Sequence, residues 1–327
     1  MNNTHCMKLG ITRCGAVVLV GVPAKADTFG SGANAFTIDL TSIGNAGNPD
    51  DTVTADDGSD LHFGGVGYAY RIATNAFPQV AIDAVTNLGL AHVTAGAWTG
   101  SQPAANISWY QAAALVNWLN TSTGHQPAYQ LFYSPGGPFT SPGWNMNLWA
   151  SAQAWQVGGE NLYRNKDAYY FLPSEDEYYK AAYHKNDGTG NFWKYATGSN
   201  TLPTAVASGT APGTAVYNGV GISPATVEEA GGLSPYGTVG QTGNVYEWME
   251  SAYNGSNTSE VAARTWRGGD WRENGYSLAS TDRFGWRPDG YFNNVSFRVA
   301  SVAIVPEPSS SLLLLGTGWM WRLRRRR

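Results

Sequence analysis

The sequence predicts a loop-rich α+β domain, and three observations carry that prediction. Two stretches repeat apolar residues at helical spacing behind an N-terminal capping signal, and several short runs alternate at the period of a strand. The rest is dominated by turn formers and large rings, with 40 Gly, 13 Trp and 18 Tyr against only 13% charged residues, so most of the chain reads as turns and aromatic anchors. A chain of 327 residues with 43% hydrophobic content can bury a full core, and no internal Pro/Ser-rich linker divides it into halves.

The first helix starts behind Ser108, whose hydroxyl and the Gln111 side chain three residues on make a capping box; Trp109, Ala112, Ala113, Val116 and Leu119 then form one apolar stripe. The second starts behind Ser174, boxed by Glu177. It carries Glu175 and Asp176 in its first turn and Lys180, His184 and Lys185 near its end, with Gly188 as the stop. Those three carboxylates read as capping and dipole groups rather than a catalytic cluster. A shorter helix is expected over Val80 to Leu90. Strands are expected at Phe36 to Leu40, at Val66 to Ala73, and at Val295 to Ala300, where Val295, Phe297 and Val299 alternate with Ser296, Arg298 and Ala300 as in a half-buried strand. Asp50, Asp51, Asp56, Asp57 and Asp60 read as a solvated acidic loop. The stretches from Tyr129 to Tyr170 and from Pro203 to Gly237 are long enough to be functional surfaces or irregular coverings of the core.

The chain is organised around Gly240-Gln241-Thr242-Gly243-Asn244-Val245-Tyr246-Glu247-Trp248, a turn entering a packed segment, followed by Arg267-Gly268-Gly269-Asp270-Trp271 and by Asn293-Asn294-Val295-Ser296-Phe297-Arg298. In this order the three blocks resemble the formylglycine-generating enzyme (sulfatase-modifying factor) family. Upstream, Asn106-Ile107-Ser108-Trp109 with Asn117-Trp118-Leu119, and Leu172-Pro173-Ser174-Glu175 with Ala181-Ala182, extend the resemblance over 68–301; it is weakest near Ala73 to Phe77. The resemblance implies a variant of the C-type lectin fold with a twisted antiparallel sheet and two main helices.

The resemblance also frames the chemistry. The family's oxidase activity depends on a copper-binding cysteine pair between the Gly-Gly-Ser-Trp block and the final Phe-Arg, and here that interval, from Trp271 to Pro288, contains no cysteine. Neither Ser nor Asp offers a soft thiolate to Cu(I), so no copper is expected and the mechanism does not transfer. A family calcium site is implied at Asn244, Val245 and Glu247, through side-chain and backbone oxygens; the competing reading is an Asn-capped turn with Glu247 paired to an arginine. What the interval offers instead is flat rings mixed with guanidinium forks, which nominates Arg272, Asp282, Arg283, Trp286 and Arg287 as ligand-binding residues for sugars, peptides or other polar groups. Of these, Arg272 and Arg287 are expected at the surface and the neighbouring Trp271 in the core. The expected function is a non-catalytic binding or structural module; the rival is a nonheme-iron-type oxidoreductase drawing on His62, His92, His125 or His184, none of them at a ligand-like spacing.

Both ends read as sorting signals. Residues 1–26 run from Lys8 and Arg13 through an apolar stretch to Ala24-Lys25-Ala26, the order of a secretory signal peptide. Residues 302–327 carry Val305-Pro306-Glu307-Pro308, an apolar run and a terminal arginine cluster. That tail resembles the PEP-CTERM signal of exosortase systems, which implies an exosortase-type processing protease, transient inner-membrane anchoring and delivery to the Gram-negative cell surface or matrix. The strand and acidic loop of 27–67 precede the family-like domain of 68–301. Between Asp27 and Val305 there are 12 Lys and Arg against 23 Asp and Glu, a net charge of −11, which argues against nucleic acid and leaves an extracellular polysaccharide or other envelope ligand as the expected partner. Both cysteines, Cys6 and Cys14, fall in the signal segment.

Overall fold

The computed structural model describes residues 25–54, 60–134 and 143–303. The signal segment up to residue 24, the acidic-loop tip with Asp56 and Asp57, and the Val305–Pro308 sorting motif lie outside the described residues.

Two sheets organise the domain. One is fully antiparallel and runs in the order Lys25–Phe29, Phe36–Ile43, Tyr70–Ala73, Ala300–Val302, Tyr170–Phe171. The other orders Phe284–Trp286, Arg264–Arg267, Tyr246–Ala252 and Val295–Phe297, the last pair parallel. Short hairpins at Asp51–Thr54 with Asp60–Phe63 and at Gln130–Ser134 with Gly143–Asn147 decorate the rim, so part of the expected acidic loop is paired strand.

Among the described residues three α-helices form, at Gln79–Asn87 (α1), Trp109–Ser122 (α2) and Glu175–Tyr183 (α3). Both expected capping boxes are present: the Ser108 hydroxyl accepts from Gln111 N and the Ser174 hydroxyl from Glu177 N, while each partner side chain reaches back to the cap N–H. α3 ends at Tyr183, before the expected Gly188 stop, because His184 is already extended and Trp193 N bonds to the Tyr183 carbonyl. The strand expected from Val66 begins only at Tyr70.

α2 is fixed to both sheets by polar groups on its apolar face. The Trp109 indole donates to the Met249 carbonyl at 2.9 Å and the Trp248 indole returns a bond to the Ile107 carbonyl at 3.0 Å, locking the helix start to the strand Tyr246–Ala252. Asn120 both donates to the Tyr170 carbonyl and accepts from its N–H, holding the other end against the first sheet. The core between these layers includes Leu40, Ile72, Val85, Leu115, Leu119, Trp248 and Phe297.

The final stretch departs from the expected half-buried strand. It breaks into Val295–Phe297 and Ala300–Val302, one in each sheet, and every residue from Val295 to Ala300 is buried. The chain crosses between sheets at Arg298 and Val299, so the face that alternation assigned to solvent is covered. Arg298 is enclosed, bonding to the Ala73 and Val239 carbonyls and to Glu247.

Candidate functional site

The motif residues assemble into a buried layer of arginine–carboxylate pairs. Arg298 meets both oxygens of Glu247 at 2.6 and 2.7 Å. Arg164 forks onto Glu177 at 3.0 and 2.8 Å and also reaches Glu250, which accepts from Tyr129 as well. Glu175, at the first turn of α3, takes Arg267 at 2.7 Å and Arg283 at 2.8 and 2.7 Å. Burial raises the Glu175 and Glu177 carboxyls, but the arginines beside them more than offset it and hold both below the usual carboxylate range. The capping role read for Glu177 holds. Its partner Arg164, and the pairing of Glu175 with two arginines far along the chain, had no local signal.

The same pairing bears on the expected calcium ligands. Asn244 adopts the left-handed conformation expected of its turn (φ 67°), next to Gly243, where an added Cβ would collide with the Val216 carbonyl oxygen. The Asn244 Oδ1 accepts from Ala225 N at 2.8 Å, Val245 is buried in a small cluster with Trp271, and both oxygens of Glu247 face a guanidinium. A cation beside Arg298 would meet a like charge and an already satisfied carboxylate, so these residues, as paired, do not fit calcium. The arrangement is the Asn-capped turn with Glu247 paired to an arginine.

The five nominated ligand residues do not gather at one place. Arg283 belongs to the buried layer through Glu175. Asp282 is half-buried, its backbone carbonyl accepting from Arg267 at 2.9 Å. Arg272 is 51% exposed, lies 4.5 Å over the buried Trp271 ring and pairs with Asp270 at 3.3 Å. Arg287 lines a different feature, a groove of about 590 Å³, and Trp286 lies outside that lining, against Phe292.

That groove is built from four parts of the chain. The loop after Trp286 supplies Arg287, Asp289, Tyr291 and Phe292, the start of α2 supplies Tyr110 and Gln111, the Gln130–Ser134 hairpin supplies Tyr133 and Trp144, and the segment before α2 supplies His92 and Thr94. Backbone bonds fix the loop: Asn106 N donates to the Phe292 carbonyl, Tyr110 N to the Pro288 carbonyl, and Gly290 N closes a turn onto Arg287. Half-exposed Trp286 adjoins the groove edge-on to Phe292 at 5.5 Å. His92 lies flat on Tyr133 with centroids 3.7 Å apart, and its carbonyl accepts from the Trp144 indole at 2.8 Å. Arg287, 59% exposed, chelates Asp289 at 3.0 and 2.6 Å. Trp144 falls in the long Tyr129 to Tyr170 stretch, and nothing local in the sequence joins that stretch to the 287–292 turn.

A second, smaller cleft of about 120 Å³ lies over α3, lined in part by Trp155, Asn161 and Asp176. Burial, opposed by a hydrogen bond from Gly64 N at 3.1 Å and aided by the charges of Glu175, Asp50 and Glu177, pushes the Asp176 carboxyl up to about 7. The histidines named for an iron site are dispersed: His92 stacks on Tyr133, His125 on Tyr169 at 4.4 Å, His184 bonds to Tyr236 at 3.0 Å, and His62 is exposed on a hairpin.

A two-sheet, loop-rich α+β domain with a Gly-Asn turn feeding the central strand, and with the Arg-Gly-Gly and Phe-Arg blocks closing the buried ion layer, defines a sulfatase-modifying-factor type of protein. The model for the sulfatase-modifying factor enzyme 1-like domain matches residues 85–303, and the chain belongs to that family. Among solved structures it resembles Treponema denticola variable protein 1, with a TM-score of 0.56 and 17% identity over 85% of this chain and 99% of that one. It also resembles CarF (TM-score 0.55, 18% identity, 81% and 98% covered) and PvdO from Pseudomonas aeruginosa (TM-score 0.51, 15% identity, 86% and 99% covered). At these identities the likeness is one of fold. No curated protein matches the chain by sequence. No helix among the described residues is long and apolar enough to cross a membrane.

Proposed function

We propose that this is an exported cell-envelope protein whose sulfatase-modifying-factor-like domain works as a binding module rather than a catalyst. The observation that carries the reading is the groove between the 287–292 loop, the α2 start and the Tyr133 hairpin. It is concave, carries the exposed rings of Tyr133 and Tyr291, and its 287–292 loop is held by backbone hydrogen bonds. A ligand would stack on the rings and hydrogen-bond to the Arg287–Asp289 pair. The cysteine-free interval from Trp271 to Pro288 supports the non-catalytic half of the proposal, because the family's copper chemistry needs thiolates there. The signal-like residues 1–26 and the Val305-Pro306-Glu307-Pro308 tail support export, processing by an exosortase-type protease and transient membrane attachment.

The test incubates the purified processed protein with envelope and extracellular-polysaccharide fractions, and separately with a sulfatase-type cysteine peptide plus copper. Retention on envelope material without formylglycine formation is expected. Copper-dependent turnover of the peptide, or failure to bind any envelope fraction, sinks the proposal.

A further inference from the structure

The lining of the groove narrows the ligand. Among the described residues that line it, the charged pair is Arg287 and Asp289, and they chelate each other, so the site presents one positive and one negative group with no net charge. The remaining lining is rings, hydroxyls and amides such as Gln111 and Asn145. Tyr133 is covered on one face by His92 and met edge-on by Trp144 at 5.7 Å, and it stays 41% exposed, so the ring is held in place while part of its surface meets solvent. Tyr291, 62% exposed, adds a second ring from the loop.

A ring held by its neighbours and still exposed suits the C–H face of a pyranose. A carboxylate and a guanidinium held side by side suit neighbouring hydroxyls, which donate to the first and accept from the second. A uronate would instead face Asp289 and compete with it for the Arg287 fork, on a protein whose segment from Asp27 to Val305 carries −11. We infer that the groove binds uncharged glycan, with a neutral pyranose stacked on Tyr133 and its hydroxyls read by Asp289 and Arg287, and that acidic polysaccharide is excluded. This rests on the binding reading above and specifies its ligand class.

The test titrates the processed protein with neutral hexasaccharides (maltohexaose, cellohexaose, mannohexaose) and with an oligogalacturonate of the same length, at low and high salt. Saturable, salt-insensitive binding of at least one neutral oligomer is expected, weakened about tenfold or more in Asp289→Asn and in Tyr133→Ala, each with an unchanged melting temperature. Two results overturn the inference and leave the binding proposal standing. One is tighter, salt-sensitive binding of the galacturonate; the other is binding of no hexasaccharide by a protein still retained on envelope material, which points to a peptide or other polar ligand. Loss of envelope retention altogether is the separate result that removes the binding proposal itself.

Discussion

Arg164, Arg267 and Arg298 are wholly enclosed, while Arg272 and Arg287 are more than half exposed, and both sets pair with carboxylates at comparable distances. The first set holds the scaffold together and the second faces solvent; distance and residue type do not separate them, burial does. A buried pair broken from one side leaves an uncompensated charge in the core, whereas an exposed pair loses little when broken.

The largest expected effect comes from breaking the buried set. Arg164→Ala strands Glu177 and Glu250 together and should destabilise the protein by about 3–5 kcal/mol, while Arg287→Ala, which breaks a solvated pair, should leave stability close to that of the wild type. Urea unfolding of the two variants checks this. A near-neutral Arg164→Ala would put the scaffold elsewhere.

A smaller effect separates the carboxylates of α3 from one another. The folded pKa of Asp176 is raised from 3.8 to about 7, so the folded state holds that proton more tightly than the unfolded chain, and its contribution to stability declines as pH rises between those values. Glu175 and Glu177 are lowered, so their contribution has the opposite sign and is lost as pH falls through the acid range. Asp176→Asn should therefore gain stability relative to the wild type as pH is raised from about 4 to about 7. Parallel melting curves across that window would show that Asp176 titrates normally.

This contrast also marks how far the sequence could be read. The capping boxes at Ser108 and Ser174 are local, formed within one helical turn, and their helices began where expected. The surface positions of Arg272 and Arg287 and the burial of Trp271 followed from composition and context. Alternation failed at Arg298, because a strand that changes sheets is covered on both faces, and nothing in a period of two reports that. Arg283 reads from the sequence as a ligand-binding fork because its partner Glu175 is 108 residues away along the chain. The groove was half legible: the interval after Trp271 and the Tyr129 to Tyr170 loop were each marked as candidate surfaces, but their meeting across the α2 start is a tertiary fact.

The smallest expected effect concerns Asn244 and Glu247. With Glu247 held by Arg298, melting temperatures in chelator and in excess calcium should coincide, since only a ligand that binds the folded state raises them. A calcium-dependent rise would mean that Arg298 gives way to a cation.

The most direct measurement compares the processed protein with its Trp286→Ala, Arg287→Ala double variant for binding to envelope polysaccharide, with melting temperature read on the same samples. The variant should lose at least tenfold in affinity while melting with the wild type, because both side chains are exposed and neither joins the buried layer. A folded double variant that binds as tightly as the wild type would contradict the account.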